Sequence, residues 1–316
     1  MPPGAKVSAR ELGWGVSNVV VRVDVEGRPP VVLKQARGRL RTEAVWLSRL
    51  ERVWTECDAL ALLDGVLPEG TVPRVTYTDV PNFLFGMTCA PDDSVVWKER
   101  LLTGEADPDV GRWAGEALGV VHASTVGHPA LDGRLADTGV FDELRVDPFY
   151  RAAALARPEA AADLNALIAS MADPRPRCLV LGDFSPKNIL VHARGLTLVD
   201  FETAHAGDPA FDLGFFLSHL LLKSVHAVGT GCRQDVLGVI AAFVGAYRNV
   251  ASDPGVDHRA SGHAAACLLA RVDGKSPVDY LDGRSRDAVR RFALDALARP
   301  RGLDALTDLA ARDLHP

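Results

Sequence analysis

The sequence predicts an α+β fold, a small half built on an antiparallel sheet followed by a larger, mainly helical half. Val19, Val21, Val23 and Val25 recur at every second position, the period of a half-buried strand. Cys89-Ala90-Pro91 and the polar spacer to Ser94 then interrupt a series of short strands. Beyond them the apolar residues recur at helical spacing, from the Asp107-Pro108 start onward. The expected division is therefore 1–90 and 91–316. With 316 residues, 47% of them hydrophobic, the chain can bury a substantial core.

In chain order, Leu12–Asn18 (LGWGVSN) is a glycine turn feeding the valine strand. Backbone N–H groups in such a turn can approach phosphates without a Cβ in the way, which makes Gly13, Gly15, Ser17 and Asn18 candidate nucleotide contacts. Hairpins use paired glycines for purely structural reasons as well. The next strand, Pro30–Gln35, carries Lys34 toward the same end, as a point charge for phosphate. A dinucleotide fingerprint is excluded because Asn18 stands where its last glycine belongs. A Walker loop ending in Gly274-Lys275-Ser276 is excluded because Leu269 stands at its first glycine.

From Arg41 to Leu63 the pattern reads as a helix, with Glu43, Glu51 and Glu56 along it. One of these pairs with Lys34 and fixes its reach. Glu56 is the expected partner, by its distance from the next strand, and the others form a solvated face. Strands at Val72–Asp79 and Phe83–Thr88 follow, and Met87 to Ala90, with Met87 and Cys89 the nucleotide candidates, would offer backbone groups to an adenine edge.

The helix from Asp107-Pro108 has one apolar stripe and ends near His122, where a structural hydrogen bond is the expected role. Residues 145–175 read as alanine-rich helix with little chemistry, Arg151 and Arg157 lying at its surface. Val180–Phe216 carries the chemistry. An apolar run, Cys178–Leu181, leads to a loop holding Asp183 and Asn188; the strands Ile189–Val191 and Leu196–Val199, joined at Ala193–Gly195, return Asp200 to the same end. One carboxylate and one amide oxygen beside nucleotide phosphates suffice for Mg²⁺, with Asp183 as candidate base. Asp208-Pro209 starts a helix apolar nearly all round. Its Asp212 must be satisfied in a dry place, by the backbone of the Asp183 loop. A helix over Val236–Tyr247 and a mainly helical tail complete the chain.

A net charge of −6 with no basic block argues against nucleic acid as partner. The five cysteines are single, as in a reducing compartment, and exclude a zinc ribbon or a disulfide framework. No stretch is long and apolar enough for a membrane span, and the N-terminus lacks a signal-peptide core. The expectation is a cytoplasmic monomer or homodimer that acts on a small molecule.

The order glycine turn, Lys34, Glu56, GD-x-x-x-x-N at Gly182–Asn188 and VDFE at Val199–Glu202 resembles the small-molecule kinases of the protein-kinase-like fold, such as aminoglycoside phosphotransferases, choline kinases and methylthioribose kinases. The resemblance covers Leu12 to about Leu222 and implies a bilobal kinase fold with ATP or GTP as co-substrate and Mg²⁺ as cofactor. It further implies Asp183 acting on the acceptor hydroxyl, Asn188 and Asp200 holding the metal, and Lys34 with Glu56 on the α- and β-phosphates. Glu202 would touch a second metal or the substrate. Family members commonly have a histidine where this chain has Leu181, so a nucleotide-binding module without catalysis is the competing expectation. Lys187 would contact the transferred group or face solvent. A neutral or weakly charged sugar or nucleoside is the expected acceptor. The charge-balanced tail speaks against aminoglycosides, and its few aromatics speak against choline.

Overall fold

The valine alternation and the lysine strand sit at the centre of a five-stranded antiparallel sheet ordered β1-β2-β3-β5-β4. Its strands are β1 (Val7–Glu11), β2 (Asn18–Val25), β3 (Val31–Ala36), β4 (Val75–Asp79) and β5 (Leu84–Thr88). The computed structural model of the protein describes residues 5–13, 15, 17–41, 46–172, 176–251 and 253–315. β1, which the sequence reading did not find, is an exposed edge strand; Arg10 and Glu11 keep that edge charged.

Helix α1 runs from Arg52 to Val66, so it starts later than the expected Arg41. Leu47 is exposed in an isolated bridge with Arg39, while Trp46 packs with Leu40, Val140 and Leu144. The apolar recurrence before Leu50 thus serves packing against a distant segment rather than one helical face. Glu43 and Val45 lie outside the described residues. The strand β6 (Val95–Val96) pairs not with the first sheet but with β8 (Ile189–His192), which hairpins to β9 (Gly195–Leu198).

Helices α2 (Trp97–Thr103) and α3 (Pro108–Thr125) follow, and the Asp107 side chain caps α3 as its composition predicts. A short α4 (Gly139–Phe141), a π-helical stretch (Asp142–Arg151) interrupted by Pro148, and α5 (Ala152–Ala156) run on end to end. Proline has no amide for the α-helical ladder, and the widened turns place Arg145 inward. After α6 (Ala161–Ser170) come β7 (Cys178–Val180) and, beyond the hairpin, its antiparallel partner β10 (His205–Gly207). The helices α7 (Ala210–His226), α8 (Arg233–Val250), α9 (Val256–Asp273), α10 (Gly283–Ala298) and α11 (Leu303–Asp313) complete the chain. Among the described residues no helix is long and apolar enough to cross a membrane. All five cysteines are free.

Gly111, Gly115 and Gly119 line the face of α3 that meets α8, where a Cβ at Gly111 would stand 2.6 Å from the Val239 carbonyl oxygen. At Gly115 a Cβ would collide with the Phe243 carbonyl. Gly115→Ala therefore destabilises the protein by about 1–3 kcal/mol despite alanine's better helix propensity. Urea unfolding checks this, and a rise in the midpoint would refute the close approach.

Between α7 and α9, His263 is buried with Nδ1 2.7 Å from the Tyr150 hydroxyl. Burial, against the weaker pull of Asp208, lowers its pKa to about 4. Between the usual histidine value and about 4, the unfolded chain takes up a proton that the folded protein refuses, so stability is lost as pH falls through that window. We expect the stability gap between wild type and His263→Gln to move against wild type by about 3 kcal/mol from pH 7 to pH 4. Denaturant melts at both pH values measure the shift.

Candidate active site

The β8–β9 hairpin sets the geometry. Ile189 faces Leu198 across the ladder, and the Val199 amide donates to the Asn188 carbonyl at 3.0 Å, so Asn188 and Asp200 emerge side by side. Asp200 has φ 72°, a left-handed conformation uncommon for any residue but glycine, although aspartate adopts it more readily than most. Asn188 donates its side-chain amide to the Asp183 carbonyl at 2.9 Å, which leaves its amide oxygen for a cation. Asp200 gives one oxygen to Lys34 at 2.6 Å and its side chain is still 24% exposed, so the second oxygen remains. This hard-oxygen pair fits Mg²⁺, which takes one or two protein ligands together with phosphates and waters. Among the described residues there is no cluster of three or more histidine, cysteine or acidic side chains that would serve a metal instead.

Lys34, buried on β3, is held between helix and hairpin, 2.6 Å from Glu56 of α1 and 2.6 Å from Asp200. Burial opposes its charge, but the Asp200 and Glu56 carboxylates outweigh burial and hold the ammonium above its ordinary range. For Asp200 burial again works against charge, yet Lys34 and then Lys187 draw its carboxyl below the usual range. Glu56, the more deeply buried acid, is pushed up by desolvation against the pull of Lys34.

The loop holding Asp183 rests on Asp212. The amides of Leu181 and Gly182 donate to the two Asp212 oxygens at 2.6 and 2.9 Å, the backbone contact that the buried position requires. His122 Nε2 lies 3.3 Å from the same carboxylate, with Nδ1 3.0 Å from the Tyr247 hydroxyl. His122 is thus a structural support. Gly182 has φ 73° and a Cβ there would sit 2.6 Å from the Thr203 carbonyl oxygen, so no other residue fits before Asp183.

Arg145 holds the loop from above, donating Nε to the Gly182 carbonyl at 2.7 Å and placing Nη2 2.7 Å from Asp183 Oδ2. Lys187 reaches the same oxygen at 2.8 Å, a contact the sequence reading did not foresee. Both cations contact Oδ2, and Oδ1 is the oxygen left open. Leu181, where the histidine is common, is buried, and its carbonyl accepts from Thr203 Oγ1.

Glu202 Oε2 accepts from Arg52 Nε at 2.9 Å and from Asn18 Nδ2 at 2.8 Å, a buried contact that joins the glycine turn to the segment after Asp200. Ser17 and Asn18 are likewise engaged, because the Ser17 carbonyl accepts from Arg52 and the Asn18 amide also donates to Ser17 Oγ. Gly13 and Gly15 face open space, with no atom of the described residues within 4 Å of an added Cβ. Trp14 and Val16, which follow them, lie outside the described residues. Met87 is a buried sheet residue paired with Val32 and Val75, and the Thr88 amide is spent on the Arg74 carbonyl. Only Cys89 and Ala90 of that stretch follow the strand end.

Arg52 and Arg145 were not legible as site residues. Arg52 reads as an ordinary helix residue, yet it is wholly buried and donates to Ser17, Arg37, Arg49 and Glu202. Arg145 lies in an alanine-rich segment whose local pattern suggests no chemistry.

Removing one member of the Lys34 set leaves buried charge uncompensated. Lys34→Met should lower unfolding stability by about 3–5 kcal/mol, and adding Glu56→Gln should restore part of it. Urea denaturation of the single and double variants measures both; an unaffected single variant would refute the charge argument.

A family model described as "Phosphotransferase enzyme family" matches residues 8–237. Methylthioribose kinase from Geobacillus kaustophilus is 28% identical over 254 residues, covering 70% of this chain and 62% of that protein. Methylthioribose kinase 1 of Oryza sativa subsp. japonica is 26% identical over 247 residues, 68% of this chain and 56% of that protein. The match thus spans less than two thirds of the length of these relatives. Among solved structures, a choline/ethanolamine kinase family protein from Mesorhizobium loti superposes with a TM-score of 0.55 at 18% identity, over 98% of this chain and 95% of that one. A macrolide 2'-phosphotransferase from Brachybacterium faecium gives 0.52 at 20% identity, over 98% and 92%. These structures share the α+β, protein-kinase-like fold. With the family model matched over well more than half its length, the chain belongs to the phosphotransferase enzyme family.

Proposed function

We propose that the protein is a small-molecule kinase that moves the γ-phosphoryl group of ATP, or of GTP in its place, to a hydroxyl of a sugar, nucleoside-like metabolite or antibiotic. The observation that carries this is Asp183, fixed through one oxygen by Arg145 and Lys187 beside the Asn188–Asp200 pair. The family match and the methylthioribose kinase relatives support the same reading and make a sugar hydroxyl the first acceptor to test. We take the division between the two halves to lie at 90/91, where the first sheet has ended and β6 turns to pair with β8.

Phosphoryl transfer passes through a loose transition state, so the protein's work is to position the partners and neutralise charge. Asp183 orients the acceptor hydroxyl and takes its proton as the oxygen bonds to the γ-phosphorus. The bond from that phosphorus to the bridging oxygen breaks, and its electron pair leaves with the nucleoside diphosphate. Lys34, fixed by Glu56, faces the α- and β-phosphates, and Gly13 and Gly15 leave their backbone approachable. Asn188 and Asp200 would hold Mg²⁺, which would supply positive charge to neutralise the phosphate oxygens. Arg52, Asn18 and Glu202 position the glycine turn over this end of the site. Arg145 takes over the holding of the loop where Leu181 cannot donate a side-chain hydrogen bond.

Nucleoside diphosphate release is to be measured with Mg²⁺-ATP and a panel of sugars, nucleosides, aminoglycosides, choline and methylthioribose. Asp183→Asn should lower kcat by about 10²–10⁴ and leave Mg²⁺-nucleotide binding intact. A wild-type protein that binds the nucleotide but phosphorylates no member of the panel would instead be a nucleotide-binding module.

A further inference from the structure

Next to Asp183 the helical half buries positive charge that it does not neutralise. Lys223 on α7 is 1% exposed, and its Nζ makes a single hydrogen bond, to the His219 carbonyl at 3.4 Å. Among the described residues no carboxylate lies within ion-pair distance of it. The Nζ stands 5.6 Å from the centroid of the Tyr280 ring, whose buried hydroxyl has no partner. Arg271 on α9 donates Nη1 to Ser276, while its buried Nε has no partner.

Packing ties this cluster to the catalytic loop. The Arg271 and Arg145 guanidinium carbons lie 6.0 and 5.9 Å from the same Phe149 ring, and Arg145 is the group that touches Asp183. Arg145 also lies 5.5 Å from the Phe215 ring, which meets the His219 ring edge-on at 4.8 Å, one helical turn before Lys223. Burial first, then Lys98 and Arg271, pushes the Lys223 ammonium down to about 7. The carboxylates that act on Arg271 are Asp183, already bound by two cations, and the exposed Asp279.

An ion desolvated without a counter-charge costs several kcal/mol, and a methionine of similar length at position 223 would avoid that cost. Buried basic groups without a carboxylate partner, packed through Phe149 and Phe215 to the Asp183 loop, are what a site for a negatively charged ligand requires. We propose that Lys223 and Arg271, with the Tyr280 hydroxyl, bind an anionic group, carboxylate or phosphate, carried by the same small molecule whose hydroxyl Asp183 receives. The proposal rests on the kinase reading for the word acceptor, but the anion site itself does not. It replaces the neutral sugar expected from the charge-balanced tail with a sugar acid or sugar phosphate.

The test uses matched pyranoses, D-glucuronate and D-glucose 6-phosphate against D-glucose and D-glucosamine, with binding measured by calorimetry on the full chain. At least one acid should bind tenfold or more tighter than glucose, and which one does so separates carboxylate from phosphate recognition. In Lys223→Met that preference should fall at least tenfold. Arg271→Gln gives the same reading if Lys223→Met does not fold. The anion site is overturned if neither acid outbinds glucose, or if the preference survives both substitutions. Phosphoryl transfer is followed separately, with Asp183→Asn as control. Acid binding without transfer to any of these pyranoses or to any member of the acceptor panel above would sink the kinase reading and leave the anion site standing; transfer to glucose or glucosamine without acid preference would do the reverse.

Discussion

The structure depends most on one buried ammonium shared by three elements. Lys34 comes from the central strand of the sheet, Glu56 from the helix behind it, and Asp200 from the end of the β8–β9 hairpin in the other half. An isolated buried charge would be prohibitive, so each member is tolerated only in the presence of the others. The cation sits between two carboxylates and leaves a negative balance toward the hairpin. A divalent cation at Asn188 and Asp200 would offset that balance. The Arg52–Glu202–Asn18 contact beside it ties the same halves together a second time.

Beneath the loop the physical problem is different. A tight turn after β7 exposes the amides of Leu181 and Gly182 to the protein interior, where no water can satisfy them, and Asp212 accepts both. That need explains why an aspartate is kept on a helix that is otherwise buried and apolar, and why His122, on a separate helix, turns its imidazole to it. With the backbone fixed from below and Arg145 holding the Gly182 carbonyl from the other side, the Asp183 side chain has little freedom left. In a loop so constrained the Leu181 side chain packs into the core while its backbone carbonyl accepts from Thr203.

Much of this was legible because it follows from short-range rules. The valine alternation, the Asp107-Pro108 helix start, the hairpin that returns Asp200 beside Asn188, and the need for Asp212 to find backbone donors all rest on neighbours in sequence. What escaped was set by distant partners. The stretch before Arg52 has helical spacing, but Trp46 is recruited by Val140 and Leu144 instead. Arg145 and Arg52 show no local sign of burial; each becomes part of the site through segments tens or more residues away. Glu202 reads as a contact to a second metal or the substrate by its spacing from Asp200, and spacing cannot reveal that Arg52 also binds it.

The same limit applies to charge. A net charge of −6 and a balanced tail describe the whole chain, while recognition depends on what a few buried groups present. Toward the sheet the acids Glu56, Asp200 and Glu202 gather around Lys34 and Arg52, a surplus of negative charge that suits a cation. On the other side of Asp183, Arg145, Lys187, Lys223 and Arg271 outnumber their carboxylates. A phosphoryl group in transfer would pass between a field that holds its metal and a field that holds its acceptor. Two fields of opposite sign meeting at Asp183 distinguish the two ends of the site, since an anionic group turned toward Glu56, Asp200 and Glu202 would meet like charge unless a metal came with it.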